Sequence, residues 1–417
     1  MTTIVSQAVR RRLLVTLFTT QSLFSAAQIV SFAVLPIVAV QIAGSDAAAG
    51  LPSTVTLLGR AAAAYPVGWL MDRLGRRFGL STGFLLAMGG WVLSALALGW
   101  GTWWGFLLGT LLSGMGRGIG EQARFAAADV EMPERRAKAI GWIVFAGTVG
   151  AVGGPLLLSP SEQLATRYGF DPSSGPFIAG AVLAYLAFML TLVFLRPDPM
   201  LVGRAIEAEL PGYTAASGPG RSVREIFTDW SVRLALLAMV VGQLVMTTIM
   251  VITPLYMSRQ EYGTGAISWV FMAHTLGMFG LAGVTGRLID RAGSVTMIAV
   301  GSGVLIASAV LAPLAPNVPL LALALFLLGL GWSFCFIAGS SLLSNALQPQ
   351  ERGRVQGASE TLVSLASGAG SLSTGSLFAA GGMTGISLGG LAFALLLLVA
   401  TAWIARFRAK PLPIAGD

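Results

Sequence analysis

Twelve apolar stretches of roughly membrane-spanning length, separated by short charged loops, leave this chain few ways to fold. They run at about 13–42, 51–71, 79–100, 103–128, 139–159, 176–195, 232–257, 264–289, 295–313, 319–346, 355–380 and 383–406. A helix needs about 20 mainly apolar residues to cross a bilayer. Charged residues make up 11% of the 417 positions and hydrophobic ones 55%, where a soluble domain carries about 25% charged. The pattern predicts an all-α membrane protein with twelve transmembrane helices and both termini on one side.

The basic residues set the orientation. Arg10, Arg11, Arg12, Arg73, Arg76, Arg77, Arg135, Arg136, Lys138, Arg196, Arg204, Arg221, Arg224, Arg291, Arg352, Arg354, Arg406, Arg408 and Lys410 fall in loops or tails of one parity. Only Arg167 and Arg259 fall on the other. By the positive-inside rule, the termini and the central loop are cytoplasmic. The net charge of +8 is then a topology signal. No aromatic–basic interleaving points to nucleic acid. Arg10, Arg11 and Arg12 precede an apolar run that continues to Ile42, longer than the core of a cleaved signal, so a retained first helix is expected.

Scarcity excludes much chemistry. A single cysteine, Cys335, leaves no internal disulfide and no Cys-x-x-Cys motif. A single histidine, His274, excludes HExxH. Two lysines, neither after a glycine, exclude a Walker A loop. The chain is read as no enzyme, with no resident cofactor. Its expected partners are the lipid bilayer, a small ion or small-molecule substrate, and protons as one candidate coupling ion. A monomer is expected.

The chain also repeats itself. GWLMDRLG at Gly68–Gly75 recurs as GRLIDRAG at Gly286–Gly293, and MPERRAKAIG at Met132–Gly141 recurs loosely as QPQERGRVQG at Gln348–Gly357. The two shifts are nearly equal, at about half the chain, which indicates two six-helix bundles in parallel duplication. The expected division is 1–195 for the first bundle, 196–231 for a cytoplasmic linker rich in Pro, Gly and charge, and 232–417 for the second bundle and a short tail. The linker's RSVREIFTDW end is a candidate short amphipathic helix. Gly68 allows close helix contact, and Asp72, at a helix end, can pair with a cation or face a neighbouring helix N-terminus.

GWLMDRLGRR resembles the signature loop of the major facilitator superfamily, and GRLIDRAG resembles its weaker second copy. The resemblance implies two six-helix bundles rocking about a central site. It also implies a cytoplasmic gate built on Gly68, Asp72, Arg73 and Arg76, with Asp129 as partner of Arg76 and Asp290 in the second copy.

Further charges lie inside apolar runs. Arg117, Glu121 and Arg124 stand four and three residues apart in the fourth span, so that one carboxylate can bridge two guanidiniums. They read as a buried structural triad or as a coupling group facing a cavity. Arg60 and Glu360 are further charges in the second and eleventh spans. Glu360, six residues past Arg354, fits a surface cap as well as a coupling role. In the fifth span, Gly147, Gly150, Gly153, Gly154 and Pro155 resemble the glycine–proline motif of drug/proton antiporters, though such glycines also serve plain packing.

Six of the fifteen methionines lie between Met239 and Met278. Met239, Gln243, Met246, Met250 and Met257 recur at helical spacing, and His274 and Met278 share a face of the next helix. Methionine at that spacing is ordinarily core filling. Thioethers with an imidazole also suit copper, especially the monovalent ion. Met246-x3-Met250 with His274-x3-Met278 resembles the CcoA-like bacterial copper importers, a wider family that also includes riboflavin importers. The resemblance implies copper as transported substrate, held by Met246, Met250, His274 and Met278 near the bilayer midplane. The alternative is a proton-coupled carrier of a small organic solute, either a riboflavin-like nutrient importer or a drug exporter, contacted by Gln28, Gln243, Thr247 and aromatics.

Overall fold

The computed structural model describes residues 6–44, 48, 51–208, 221–262, 264–348 and 350–408. The linker stretch 209–220, the tail with Lys410 and the side chain of Arg259 lie outside the described residues. The helices are α1 (Gln7–Ala33), α2 (Leu35–Ala43), α3 (Leu51–Leu74), α4 (Arg76–Trp100), α5 (Trp103–Gly120), α6 (Ala123–Asp129), α7 (Arg136–Arg167) and α8 (Gly175–Phe194). The linker holds α9 (Pro199–Ala208) and α10 (Val223–Ile226). Then come α11 (Trp230–Arg259), α12 (Thr264–Thr275), a π-helical turn at Leu276–Gly280, α13 (Ala282–Ala292), α14 (Ser294–Leu314), α15 (Val318–Ala346) and α16 (Arg352–Arg408). α16 is kinked at Gly381 and Gly382, the latter at φ 58°.

Each of the twelve predicted spans is helical. Among the described residues, eight helices are long and apolar enough to cross a membrane, or nine with the pair Trp269–Gly280 and Ala282–Ala292, bent by 43°. The other three, α3, α5 with α6, and the first half of α16, are less apolar: they carry Arg60, the Arg117–Arg124 group and Glu360 among many Gly, Ser and Thr residues. Besides the eighth, bent at its π-turn, two predicted spans are broken. The first is interrupted at Val34, where Pro36 has no N–H to continue the ladder. The fourth breaks at Glu121 and Gln122, whose side chains reach across to α3: Gln122 Nε2 donates to the Ala64 carbonyl at 3.0 Å.

The linker is more ordered than a Pro- and Gly-rich loop. Asp198 caps α9, its carboxylate accepting from Met200 N at 2.8 Å, and Pro199 starts the helix. Val202 and Ile206 bury one face. The proposed amphipathic end forms only the short α10.

The chain divides into two compact units, 1–221 with 347–365, and 222–346 with 366–417. The start of α16 thus groups with the first unit, by ion pairs traced below. In the first unit, α1 packs on α7 and α8, α4 on α5 and α8, and α3 on α5. Its core centres on Phe24, Phe84, Trp91, Phe106 and Phe177. A Cβ at Gly118 would sit 2.5 Å from the Arg60 carbonyl oxygen, so only glycine permits that α3–α5 approach. Gly150 and Gly154 seat α7 on Ser25 and Ile29 of α1, and α7 runs on through Pro155 to Arg167. In the second unit, α11, α12, the π-turn, α13 and α14 all pack on α15.

Candidate functional site

Asp72, at the end of α3, faces the N-terminus of α16. Its two carboxylate oxygens accept from Gly353 N at 2.6 Å and Arg354 N at 2.9 Å, the charge a helix N-terminus favours. Gly68, one turn earlier, touches Gly353 and Gly357 with no room for a side chain. Arg76 Nε donates to Asp129 Oδ2 at 2.9 Å, and its Nη2 to Gln356 Oε1 at 2.6 Å. Arg352 donates to the other oxygen of Asp129 at 3.1 Å and also bonds Glu207, which accepts from Arg136 at 2.7 Å. All these charged groups are buried except Asp72, which is half-buried. Arg73 stands apart: it is exposed and lies over the Trp69 ring at 3.8 Å. Asp290 is half-buried near the end of α13.

Deeper in the first unit lies a second cluster. Glu121 meets Arg60 at 2.6 Å and Arg117 at 3.2 Å. Arg124 does not bridge to the Glu121 carboxylate as the spacing suggested. The break after Gly120 turns its Nη1 to the Glu121 carbonyl at 2.9 Å, and its Nη2 bonds Glu360. Glu360 is fully buried, so it is no surface cap. Burying unpaired charge in hydrocarbon is costly, and these five groups compensate one another. Arg117 keeps its side chain 34% exposed, and it lines a narrow crevice with Gln28, Thr56, Trp91, Ser94 and Phe177.

In the second unit, Gln243 organises a polar knot on α11. Its Oε1 accepts from Trp332 Nε1 at 2.9 Å, and its Nε2 donates to Thr247 Oγ1 at 3.2 Å and Ser367 Oγ at 3.4 Å. The Trp332 indole stacks on Phe336 at 4.6 Å and meets Phe279 edge-on at 5.9 Å.

His274 is buried, with Nδ1 3.0 Å from the Leu325 carbonyl oxygen. A carbonyl only accepts, so Nδ1 carries the proton and Nε2 keeps its lone pair. Met278 packs on Gly329, where an added Cβ would sit 2.8 Å from Met278 N. α11 and α15 are antiparallel, since Met239 meets Gly339 while Gln243 meets Trp332. At about 1.5 Å per residue, Met246 therefore lies level with Gly329 and Met250 level with Leu325. The two Met/His pairs share two depths along α15. Met246 and Met278 are half-buried.

Sequence reasoning missed Arg136, Arg352 and Glu207 in the first network, and Trp332 and Ser367 in the knot. A signal existed for Glu207: Asp198-Pro199 starts a helix whose apolar face puts residue 207 inward. Arg136 and Arg352 share one position of the repeat, but nothing in it pointed to Glu207, and Trp332 and Ser367 carried no signal because their partners come from distant segments.

The Major Facilitator Superfamily profile matches residues 17–371, with a second match over 263–416. The uncharacterized MFS-type transporter YdeG of Bacillus subtilis is 35% identical over 375 residues, spanning 88% of this chain and 86% of its own. The riboflavin transporter RfnT of Brucella anthropi is 28% identical over 404 residues, spanning 96% and 97%. Among solved structures, the human organic anion transporter MFSD10 superposes with TM-score 0.75 at 17% identity, over 94% of this chain and 99% of that one. The proton:xylose symporter XylE superposes with TM-score 0.72 at 16% identity, over 97% and 96%. These two likenesses show the fold.

Proposed function

The chain belongs to the Major Facilitator Superfamily, and we propose that this multi-pass secondary transporter carries a small, flat heteroaromatic solute of the riboflavin type across a bacterial inner membrane by alternating access. The observation that carries the reading is the Gln243–Trp332 bond at 2.9 Å beneath the Phe336–Trp332 stack. Flat ring systems bind by stacking, and a few fixed polar groups set their orientation. The Trp332 N–H holds the Gln243 amide, which keeps one acceptor lone pair for cargo. The crevice of Gln28, Trp91 and Phe177 offers the same pairing of amide and aromatic in the first unit. A relative named for riboflavin, aligned over 96% of this chain, supports the same class. Asp72, Arg76 and Asp129 serve as gate groups in this reading, and Glu121 and Glu360 as the coupling candidates.

The test is riboflavin uptake in a riboflavin-requiring strain lacking its own importer. Wild type restores growth on low riboflavin. Trp332→Phe keeps an aromatic ring against Phe336 but leaves Gln243 Oε1 without its Trp332 donor, and uptake falls about tenfold, the worth of one buried hydrogen bond. Uptake no higher than from an empty vector removes the proposal.

A second reading, copper import through Met246, Met250, His274 and Met278, is favoured by the matched depths of those residues and the fixed His274 tautomer. A proton held on Nδ1 by a carbonyl is the usual preparation of a ligating imidazole. Of the relatives compared above, one is named for riboflavin and none for copper. Met246→Leu, Met278→Leu and His274→Gln separate the two: they abolish copper accumulation if copper is the cargo and leave riboflavin uptake near normal if it is not.

A further inference from the structure

Where α1 meets α7 near the N-terminus, the first unit carries an open groove of about 620 Å³. Its floor is apolar: Leu14, Val15, Phe18, Trp142 and Ile143. Its rim carries Arg10, Arg11, Arg135 and Lys138 against one carboxylate, Glu131. Phe18 and Trp142 meet edge-on at 6.1 Å, and Trp142 remains 41% exposed. Arg10 reaches Glu131 only at 3.7 Å, and Arg10 Nε is buried with no hydrogen bond. On the opposite flank of α1 a second groove, against Leu190 and Phe194 of α8, shares Arg11 and Val15 and adds Arg12. Two apolar grooves thus share the exposed Arg11. None of these residues takes part in the gate or in cargo contact.

We propose that this face binds an anionic glycerophospholipid, its phosphate among Arg10, Arg11, Arg135 and Lys138 and its acyl chains along the grooves beside α1. A soluble anion would use the rim and leave the Phe18–Trp142 floor bare. A neutral lipid would use the floor and leave Arg10, Arg11 and Arg135 facing Glu131 alone. An anionic lipid satisfies both, and an exposed tryptophan beside basic side chains is the usual signature of the membrane–water interface.

The full chain is reconstituted in nanodiscs of phosphatidylcholine with or without phosphatidylglycerol, and lipid retained on release is read by native mass spectrometry. Phosphatidylglycerol is retained in preference and raises the thermal midpoint. R11Q/R135Q lowers its apparent affinity about thirtyfold, from roughly fivefold per cation near an anionic headgroup. R11K/R135K, which keeps the charge, retains it and shows that the loss is not misfolding. Equal retention of the two lipids, or unchanged retention in R11Q/R135Q, overturns the proposal. So does an equal rise in midpoint from millimolar inorganic phosphate alone, since the site would then read a free anion.

Discussion

Gly68→Ala tests whether α3 and the start of α16 are held by contact and charge together. A Cβ at position 68 would lie 2.9 Å from the Gly353 carbonyl carbon and 3.0 Å from Gly357 Cα. Carbon pairs rest at about 3.5–4.0 Å, and the Gly353 carbonyl oxygen would be closer still, so the α16 backbone must retreat by at least roughly 0.8 Å. That retreat carries Gly353 N and Arg354 N away from Asp72, where they now sit at 2.6 and 2.9 Å. The bonds stretch to about 3.4 and 3.7 Å, where the second ceases to be one. A hydrogen bond to a charged group is worth about 1.5–3 kcal/mol, and Asp72 is half-buried, so the lower end applies. Amides in the peptide covering residues 350–358 should then exchange about tenfold faster. Asp72→Asn alone should give a similar acceleration. The two changes act on the same bonds, so G68A/D72N should exchange little faster than either single variant. Fully additive acceleration, or none in Gly68→Ala, refutes the coupling.

Reporter fusions at Pro411 should read cytoplasm and one at Ser173 the outside; a cytoplasmic reading at Ser173 overturns the span assignment. Glu360→Gln leaves Arg124 and Arg60 buried without that carboxylate and should cost about 3–5 kcal/mol, more than Arg352→Gln, with thermal midpoints giving the order. R124Q/E360Q should recover part of the loss, and no recovery rejects the pairing. Glu351 is buried, which raises its pKa, but bonds from Arg221 and from Gln348 N hold it below the usual carboxylate range. A depressed pKa makes this contribution present at neutral pH and lost only as pH falls below about 4.3. Exchange in residues 347–352 should show that acid step, and Glu351→Gln should remove it.

The spans were legible because membrane length and the apolar run say the same thing. The contacts of Gly68 and Asp72 were legible because a short motif carries a local mechanism, while Asp129 as partner of Arg76 came only from the family resemblance. Asp72 faces a helix N-terminus, as its place at a helix end suggested, and Arg76 does meet Asp129. Arg124 was misread because i,i+3 spacing assumes an unbroken helix, and the chain breaks at Glu121 and Gln122. Glu360 was half-read: its distance from Arg354 along the sequence says nothing of how deep α16 enters the first unit. Trp332 gave no sign at all, since its role depends on Gln243 lying opposite it on another helix.

The segment 347–365 supplies one buried charge to each cluster, and the two charges differ in sign and consequence. Without Glu360, the deeper cluster would hold three guanidiniums, Arg60, Arg117 and Arg124, against Glu121 alone. Glu360 reduces that excess from two to one. Without Arg352, the outer cluster would balance Arg76 and Arg136 against Asp129 and Glu207. Arg352 therefore adds a charge to a neutral group and is held by sharing two carboxylates that already have partners. Attraction draws the segment in at Glu360, while at Arg352 bonding geometry offsets a charge that is not otherwise needed. That is why the loss of Glu360 should cost more than the loss of Arg352, although both residues are equally out of reach of water.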